Sequence, residues 1–182
     1  MSAANVQDVL QILGDIEARA SANMVDLGVV EESADELVFV TFLACGVRFM
    51  ALMRDLKEII YVPTLISRVP LVQHWMLGVA NVRGSLMPIV DLQRYLCGSD
   101  KGATADSRVL VVDKGGLLVG LQVPAVYGLR HVRPDARANF ATDDLRWLAD
   151  YVNSGYDVDG EVWPAFSVDA LVGHPNFRVA SV

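Results

Sequence analysis

The chain has 182 residues, 53% of them hydrophobic and 20% charged, so it is long and apolar enough to bury one core or two small cores with a shared boundary. A formal net charge of −7 argues against binding to nucleic acid and to anionic membranes, because both attract basic patches. No apolar run reaches the roughly 20 residues of a membrane span, and no basic segment followed by an apolar run opens the chain. We therefore expect neither direct membrane insertion nor a signal peptide.

The first 36 residues differ in pattern from the rest. Apolar residues at helical spacing predict an amphipathic helix from about Asn5 to Ala22, and residues 23–36 form an acidic linker. The apolar positions are Val6, Val9, Leu10, Leu13 and Ile16. This helix either packs on its own domain or docks on a partner, and the sequence leaves both open.

Short β-branched runs begin at Leu37. Strands are predicted at Leu37–Leu43, Val47–Leu52 and Leu56–Val62, with a hairpin turn at 44–46 and a stop at Pro63. A helical turn is predicted at Leu71–Met76.

The stretch from Gly78 to Cys97 combines strand, turn and helix-cap signals. Two short strands flank a turn predicted at Gly84-Ser85, and Asp91 is placed to cap a following helix. Polar and small residues at 98–107 indicate a loop.

The remaining residues continue the alternation of strands and turns. The sequence predicts a hairpin of strands 108–113 and 117–123 around Lys114-Gly115-Gly116, a strand at 126–132, and a helical turn at 145–148. A last strand pair, 151–158 and 161–166, surrounds Asp159-Gly160, and Ser167 is expected to cap a helix at 167–172. Many short strands with frequent turns favour an all-β fold of small barrels with a few short helices.

Catalytic and metal-binding patterns are absent from the sequence. His74, His131 and His174 lack ligand-type neighbours at metal-binding spacing, and no nucleotide-binding or nucleophile motif occurs. Cys45 and Cys97, with no CxxC spacing, are interpreted as inert thiols that fit a reducing cytoplasm. The sequence therefore predicts a non-enzymatic protein without cofactor or metal.

Two charged residues stand out inside apolar strands. Glu58 lies between Leu56 and Ile59, and Arg83 precedes Gly84. Each could point to water from an exposed strand face. Alternatively, the two side chains meet, since a carboxylate and a guanidinium can hold strands together and present fixed charge to a partner.

The central stretch also resembles the signature of CheW-like chemotaxis adaptors. Asn81-Val82-Arg83-Gly84 and Pro88-Ile89-Val90-Asp91-Leu92 carry the likeness most specifically, and it extends over residues 37–177. The resemblance divides the chain into an N-terminal extension at 1–36, a CheW-like domain at 37–177 and a tail at 178–182. It is strongest to the branch of the family that serves type IV pilus twitching motility.

The resemblance implies two intertwined five-stranded SH3-like barrels, preceded by the N-terminal helix. It implies a cytoplasmic adaptor that joins the cytoplasmic tip of a methyl-accepting chemoreceptor to a CheA-type histidine kinase and associates with receptor arrays through these partners. The partner-binding residues carried over by position are Leu56, Glu58, Asn81, Arg83 and Val109. A flagellar CheW adaptor and a small β-barrel ligand-binding module are the alternatives, and the latter predicts a deep pocket with convergent polar groups.

A chain that begins at Glu36 is expected to fold cooperatively, because the predicted strands start at Leu37. Urea denaturation followed by circular dichroism should give one transition, whereas a control chain that begins at Ala44, and so lacks the first strand, should give none. Loss of the transition in the Glu36 chain would mean that the N-terminal helix belongs to the core.

Overall fold

The computed structural model describes residues 36–140 and 146–179. The predicted helix at 5–22 and the linker up to Asp35 lie outside the described residues. Eleven strands and three short α-helices occur in the described part of the chain. The strands are β1 Leu37–Ala44, β2 Val47–Leu52, β3 Glu58–Tyr61, β4 Met76–Val82, β5 Ser85–Asp91, β6 Arg108–Lys114, β7 Leu117–Val123, β8 Ala125–Val132, β9 Arg137–Ala138, β10 Val152–Val158 and β11 Glu161–Phe166. The helices are α1 Leu92–Cys97, α2 Val168–Gly173 and α3 Pro175–Arg178, and single 3-10 turns lie at Met53–Asp55, Pro134–Ala136 and Arg146–Leu148.

The strands form two mixed sheets. The six-stranded sheet has the order β8-β1-β2-β11-β10-β9, and the five-stranded sheet has the order β3-β6-β7-β5-β4. The chain leaves the first sheet after β2 and returns to it with β8, which intertwines the two halves. The predicted all-β fold with few helices is confirmed, and the two-residue strand β9 adds a sixth strand to one sheet.

One apolar layer lies between the two sheets. This shared core takes Phe42 and Phe49 from the first sheet, Leu110 and Leu121 from the second, and Leu171 from α2. Because successive side chains in a strand point to opposite faces, alternate residues of the same strands fill a smaller cluster on the other face of each sheet, inside the curve of that sheet. These inner clusters are Phe39, Met50 and Val132 in the six-stranded sheet, and Ala80, Met87, Ile89, Val109 and Val111 in the five-stranded sheet.

In each sheet, one connecting segment runs between the two edge strands. The edge strands β8 and β9 are separated in sequence only by residues 133–136. In the other sheet, segment 62–75 runs between the edge strands β3 and β4, and Ser67 and Val79 exchange two backbone hydrogen bonds of 2.8 and 2.9 Å. Gly78 makes this approach possible, since a Cβ atom there would lie 2.2 Å from the carbonyl oxygen of Ser67.

Two local sequence predictions are wrong. Residues 71–76 contain a single hydrogen-bonded turn, from Met76 N–H to Gln73 O, instead of a helical turn. The left-handed conformation of Leu71, with φ 57°, prevents helical propagation. The turn between β4 and β5 consists of Arg83-Gly84, one residue earlier than predicted.

The predicted helix caps are confirmed. The Asp91 carboxylate accepts the N–H of Arg94 at 3.0 Å, and the Ser167 hydroxyl accepts the N–H of Ala170 at 3.1 Å. Burial raises the pKa of the Asp91 carboxyl, although the Arg94 N–H and guanidinium oppose this shift. His174 follows α2 and caps α3 through Nδ1, which accepts the N–H of Asn176 at 3.3 Å.

The interpretation of the cysteines as separate inert thiols is wrong. Cys45 in the β1–β2 turn and Cys97 at the end of α1 form a disulfide across a separation of 52 residues. No spacing motif announces this pair, because only the packing of the two sheets brings these segments together. The disulfide thus links the six-stranded sheet to the helix that follows β5 of the five-stranded sheet.

Gly78→Ala is expected to lower the free energy of unfolding by about 2–3 kcal/mol. The φ of 142° at Gly78 disfavours any residue with a side chain, and the added methyl group must displace the Ser67 backbone. Denaturant midpoints measure the loss. Gly173→Ala is the matched control, since a Cβ atom there has no neighbour within 4 Å. The free energy of unfolding of this variant should stay unchanged or rise. Equal effects at both positions would contradict the role of Gly78 in closing the sheet.

Candidate partner-binding site

Glu58 and Arg83 form an ion pair at one end of the five-stranded sheet. Arg83 Nη2 lies 3.1 Å from Glu58 Oε2, with 61% and 22% of the respective side chains exposed. Because Glu58 belongs to edge strand β3 and Arg83 follows edge strand β4, the pair joins the two edges of the sheet. The predicted meeting of these two charges is confirmed, and it presents a guanidinium to solvent.

A tight turn holds Arg83 in place. Val82 pairs with Ser85, and the two residues between them have positive φ angles of 50° for Arg83 and 84° for Gly84, as a type I′ hairpin turn requires. The Asn81 side-chain oxygen accepts the Gly84 N–H at 2.9 Å and fixes the turn. We call Glu58, Asn81, Arg83 and Gly84 the Glu58–Arg83 corner.

The other barrel contains a hairpin of the same design. The β10–β11 turn, Asp159-Gly160, has φ angles of 56° and 87°, and the Asp157 carboxylate accepts the Gly160 N–H at 3.0 Å. The two turns therefore read Asn81-Val-Arg-Gly84 and Asp157-Val-Asp-Gly160. Asp suits a left-handed position, whereas arginine gains nothing there from its own backbone preference. The turn itself therefore does not require a guanidinium at position 83.

Leu56 and Val109 lie beneath the surface. Their exposed fractions are 8% and 0%, and Val109 belongs to the inner cluster of the five-stranded sheet. Leu56 packs into the shared core. Of the five partner-binding residues predicted from the sequence, Glu58, Asn81 and Arg83 therefore meet at the surface, while these two can act only by supporting the strands below it.

A shallow groove adjoins the corner along the seam between the edge strands. It has a volume of about 340 Å³ and is lined by Ile59, Ile60, Tyr61, Val62, Pro63, Asn81, Val82 and Arg83. Most of its lining residues are apolar, and Arg83 is the charged residue among them. Such a combination suits an apolar protein segment with an acidic or carbonyl group at one end.

Further charged contacts around β3 escaped sequence analysis. Lys57 Nζ lies 2.7 Å from Asp113 Oδ2, and the Arg108 guanidinium lies 4.1 Å from the Tyr61 ring centroid. The β3–β6 register, which pairs Tyr61 with Arg108, creates the second contact. The sequence places Tyr61 at the end of one strand and Arg108 at the start of another, but it does not specify the register that pairs them.

The described residues contain no group of three or more His, Cys, Asp or Glu side chains able to hold a metal ion. Within the same residues, no helix is both long and apolar enough to cross a lipid bilayer.

Comparison with known proteins identifies the family. Residues 38–176 match the model of the CheW-like domain. The chain belongs to the CheW-like domain family. It is also 30% identical, over 178 residues, to Protein PilI of Pseudomonas aeruginosa, and this match covers 98% of the chain and 99% of the relative.

Solved structures show the same fold. The crystal structure of scaffolding protein TtCheW from Thermoanaerobacter tengcongensis matches with a TM-score of 0.64 and 21% identity, covering 76% of this chain and 94% of that one. The CheW-like family consists of chemosensory scaffold and adaptor proteins, not enzymes. The corner and its groove therefore belong to an adaptor fold.

Arg83→Asn is expected to leave the free energy of unfolding unchanged or to raise it by up to about 1 kcal/mol. Asn-Gly is the preferred pair for this turn, and this gain offsets an exposed ion pair that contributes little. Thermal and urea denaturation measure the change.

Asp159→Arg is the matched control, because it puts arginine into the same turn position of the other barrel. It should lower the free energy of unfolding by about 0.5–1.5 kcal/mol. A loss of more than about 2 kcal/mol in Arg83→Asn would show that the fold itself requires the Glu58–Arg83 pair.

Proposed function

We propose that the protein is a non-enzymatic adaptor that couples a CheA-type histidine kinase to the cytoplasmic tip of a methyl-accepting chemoreceptor, in a chemosensory system that controls type IV pilus twitching motility. The match to PilI over nearly the whole of both chains carries this proposal. The adaptor works in the cytoplasm and associates with membrane receptor arrays through its partners. It requires no cofactor.

The extent of the two matches supports the pilus system over a flagellar one. The match to PilI covers 98% of the chain, so it takes in most of the first 36 residues, whereas the match to TtCheW covers 76%. We propose that residues 1–36 are an extension that precedes a CheW-like domain at 37–177, with a short tail at 178–182. The extension then distinguishes this adaptor from a CheW protein that consists of the domain alone.

The Glu58–Arg83 corner is the proposed contact surface for the kinase or the receptor. Arg83 is 61% exposed on its side chain, and its planar guanidinium can bind an oxygen of a partner while it remains paired with Glu58. Glu58 is mostly covered and holds the guanidinium in one orientation. Leu56 and Val109 support this surface from the core.

Titration of the full chain against fragments of its cognate kinase and receptor tests the surface. Arg83→Ala should weaken binding of at least one fragment about tenfold, as expected for an arginine that contributes to an interface. Arg83→Lys should restore little, because an ammonium cannot reproduce the geometry of the guanidinium. Folding should change by only about 0–1 kcal/mol, since the pair is partly exposed.

A double-mutant cycle measures how strongly Glu58 and Arg83 depend on each other in binding. Glu58→Ala should weaken binding of the same fragment, and the double variant should lose less than the sum of the single losses. Arg130→Ala, which removes an exposed arginine from the six-stranded sheet, is the control and should bind normally. Normal binding of both fragments by Arg83→Ala would exclude the corner as the contact surface.

A further inference from the structure

The disulfide between Cys45 and Cys97 connects the two halves of the molecule at an accessible point. The Cα atoms are 6.3 Å apart, within the range that a disulfide spans. Cys45 is half-buried in the β1–β2 turn, whereas Cys97 is exposed at the end of α1. Cys97 is therefore the more accessible of the two cysteines to a thiolate from solution.

Gln93 holds both cysteines in place independently of the disulfide. Its buried side-chain oxygen accepts the N–H of Cys45 at 3.0 Å, and its side-chain nitrogen donates to the Ser99 hydroxyl at 3.3 Å. The backbone carbonyl oxygen of Gln93 lies 3.7 Å from the Cys45 sulfur and 3.2 Å from the Cys97 sulfur. As thiols, both sulfurs can donate to this oxygen, so the reduced pair stays in position.

We propose that Cys45 and Cys97 form a redox-reversible clasp between the two barrels, a property beyond the adaptor function proposed above. Opening proceeds by attack of an external thiolate on the Cys97 sulfur. This attack forms a mixed disulfide and releases the Cys45 thiolate, which takes up a proton. A second external thiolate then releases Cys97, so that one external disulfide forms and the protein gains two thiols. Closing is the reverse reaction, with a low-molecular-weight disulfide such as oxidised glutathione as the oxidant.

The clasp restrains a helix that also packs on the aromatic residues at the junction of the barrels. On α1, Tyr95 contacts the rings of Trp75 and Phe177 with centroids 5.2 and 5.1 Å apart, and its hydroxyl lies 2.9 Å from that of Tyr151. Closing the clasp ties this helix to the β1–β2 turn. Opening it leaves α1 held by Gln93 and these contacts, so the fold persists while the junction loses a covalent restraint.

The test equilibrates the folded full chain in mixtures of reduced and oxidised glutathione, followed by acid quenching and alkylation for mass spectrometry. The two cysteines should convert fully and reversibly between dithiol and disulfide while the circular dichroism spectrum stays native. The melting temperature should fall by about 5–15 °C on reduction, because the bond closes a loop of 52 residues. The Cys97→Ser variant should melt near the reduced protein, with or without reductant.

Two results of this experiment would contradict the proposed clasp. Reduction that occurs only after unfolding would overturn the proposal, because the bond would then be a buried structural one. Full alkylation at every glutathione ratio would also overturn it, because the clasp would never close.

Gln93→Ala tests the positioning of the cysteines. It should require a several-fold more oxidising glutathione ratio to close half of the molecules, since the β1–β2 turn is no longer held. Thr41→Val, which removes a buried hydrogen bond of 2.9 Å to Gly128 O, is the control for a general loss of stability and should leave the ratio unchanged. An equal shift in both variants would show that Gln93 has no specific role in positioning the cysteines.

Discussion

Burial of the shared core between the two sheets is the constraint on which the other features depend. Phe42, Phe49 and Phe166 pack against one another from three strands of the six-stranded sheet, with ring centroids 5.5–5.9 Å apart, and the five-stranded sheet covers them. Because each sheet also curls around its own inner cluster, β1, β2 and β6 are apolar on both faces. This explains why their sequences are continuous apolar runs, and why neither barrel can be removed without exposing the other.

Local features were predictable from the sequence, and contacts between distant segments mostly were not. Hairpin turns, strand ends and the Asp91 and Ser167 caps depend on residues a few positions apart, so composition and spacing reveal them. The predicted helical turn at 71–76 failed because Leu71 adopts a left-handed conformation, which a right-handed helix cannot include. The Cys45–Cys97 bond and the burial of Val109 depend on how the two sheets pack, which no local pattern encodes. The Glu58–Arg83 pair was predictable because these opposite charges occur in or directly beside two apolar strands that are consecutive in the chain.

The two related hairpins differ in how well their first turn residue fits a left-handed backbone conformation. Asp159 fits its left-handed position, whereas Arg83 occupies the equivalent position with a backbone conformation that arginine seldom adopts. Its ion pair with Glu58 is too exposed to offset much of that strain. This unfavourable backbone conformation is one reason for proposing the corner as a contact surface.

Segment 62–75 affects whether copies of this protein can pair through the edge of a sheet. The outer edge of β4 is one of the places where a neighbouring chain could add a strand, because free edge strands pair readily with one another. Ser67 occupies part of that edge through its two hydrogen bonds with Val79, and Gly78 lets it approach closely enough to do so. Arg83 adds a charge at the far end of the same strand pair. This cover disfavours edge-to-edge aggregation at β4, so that side-chain surfaces determine which neighbours the protein contacts there.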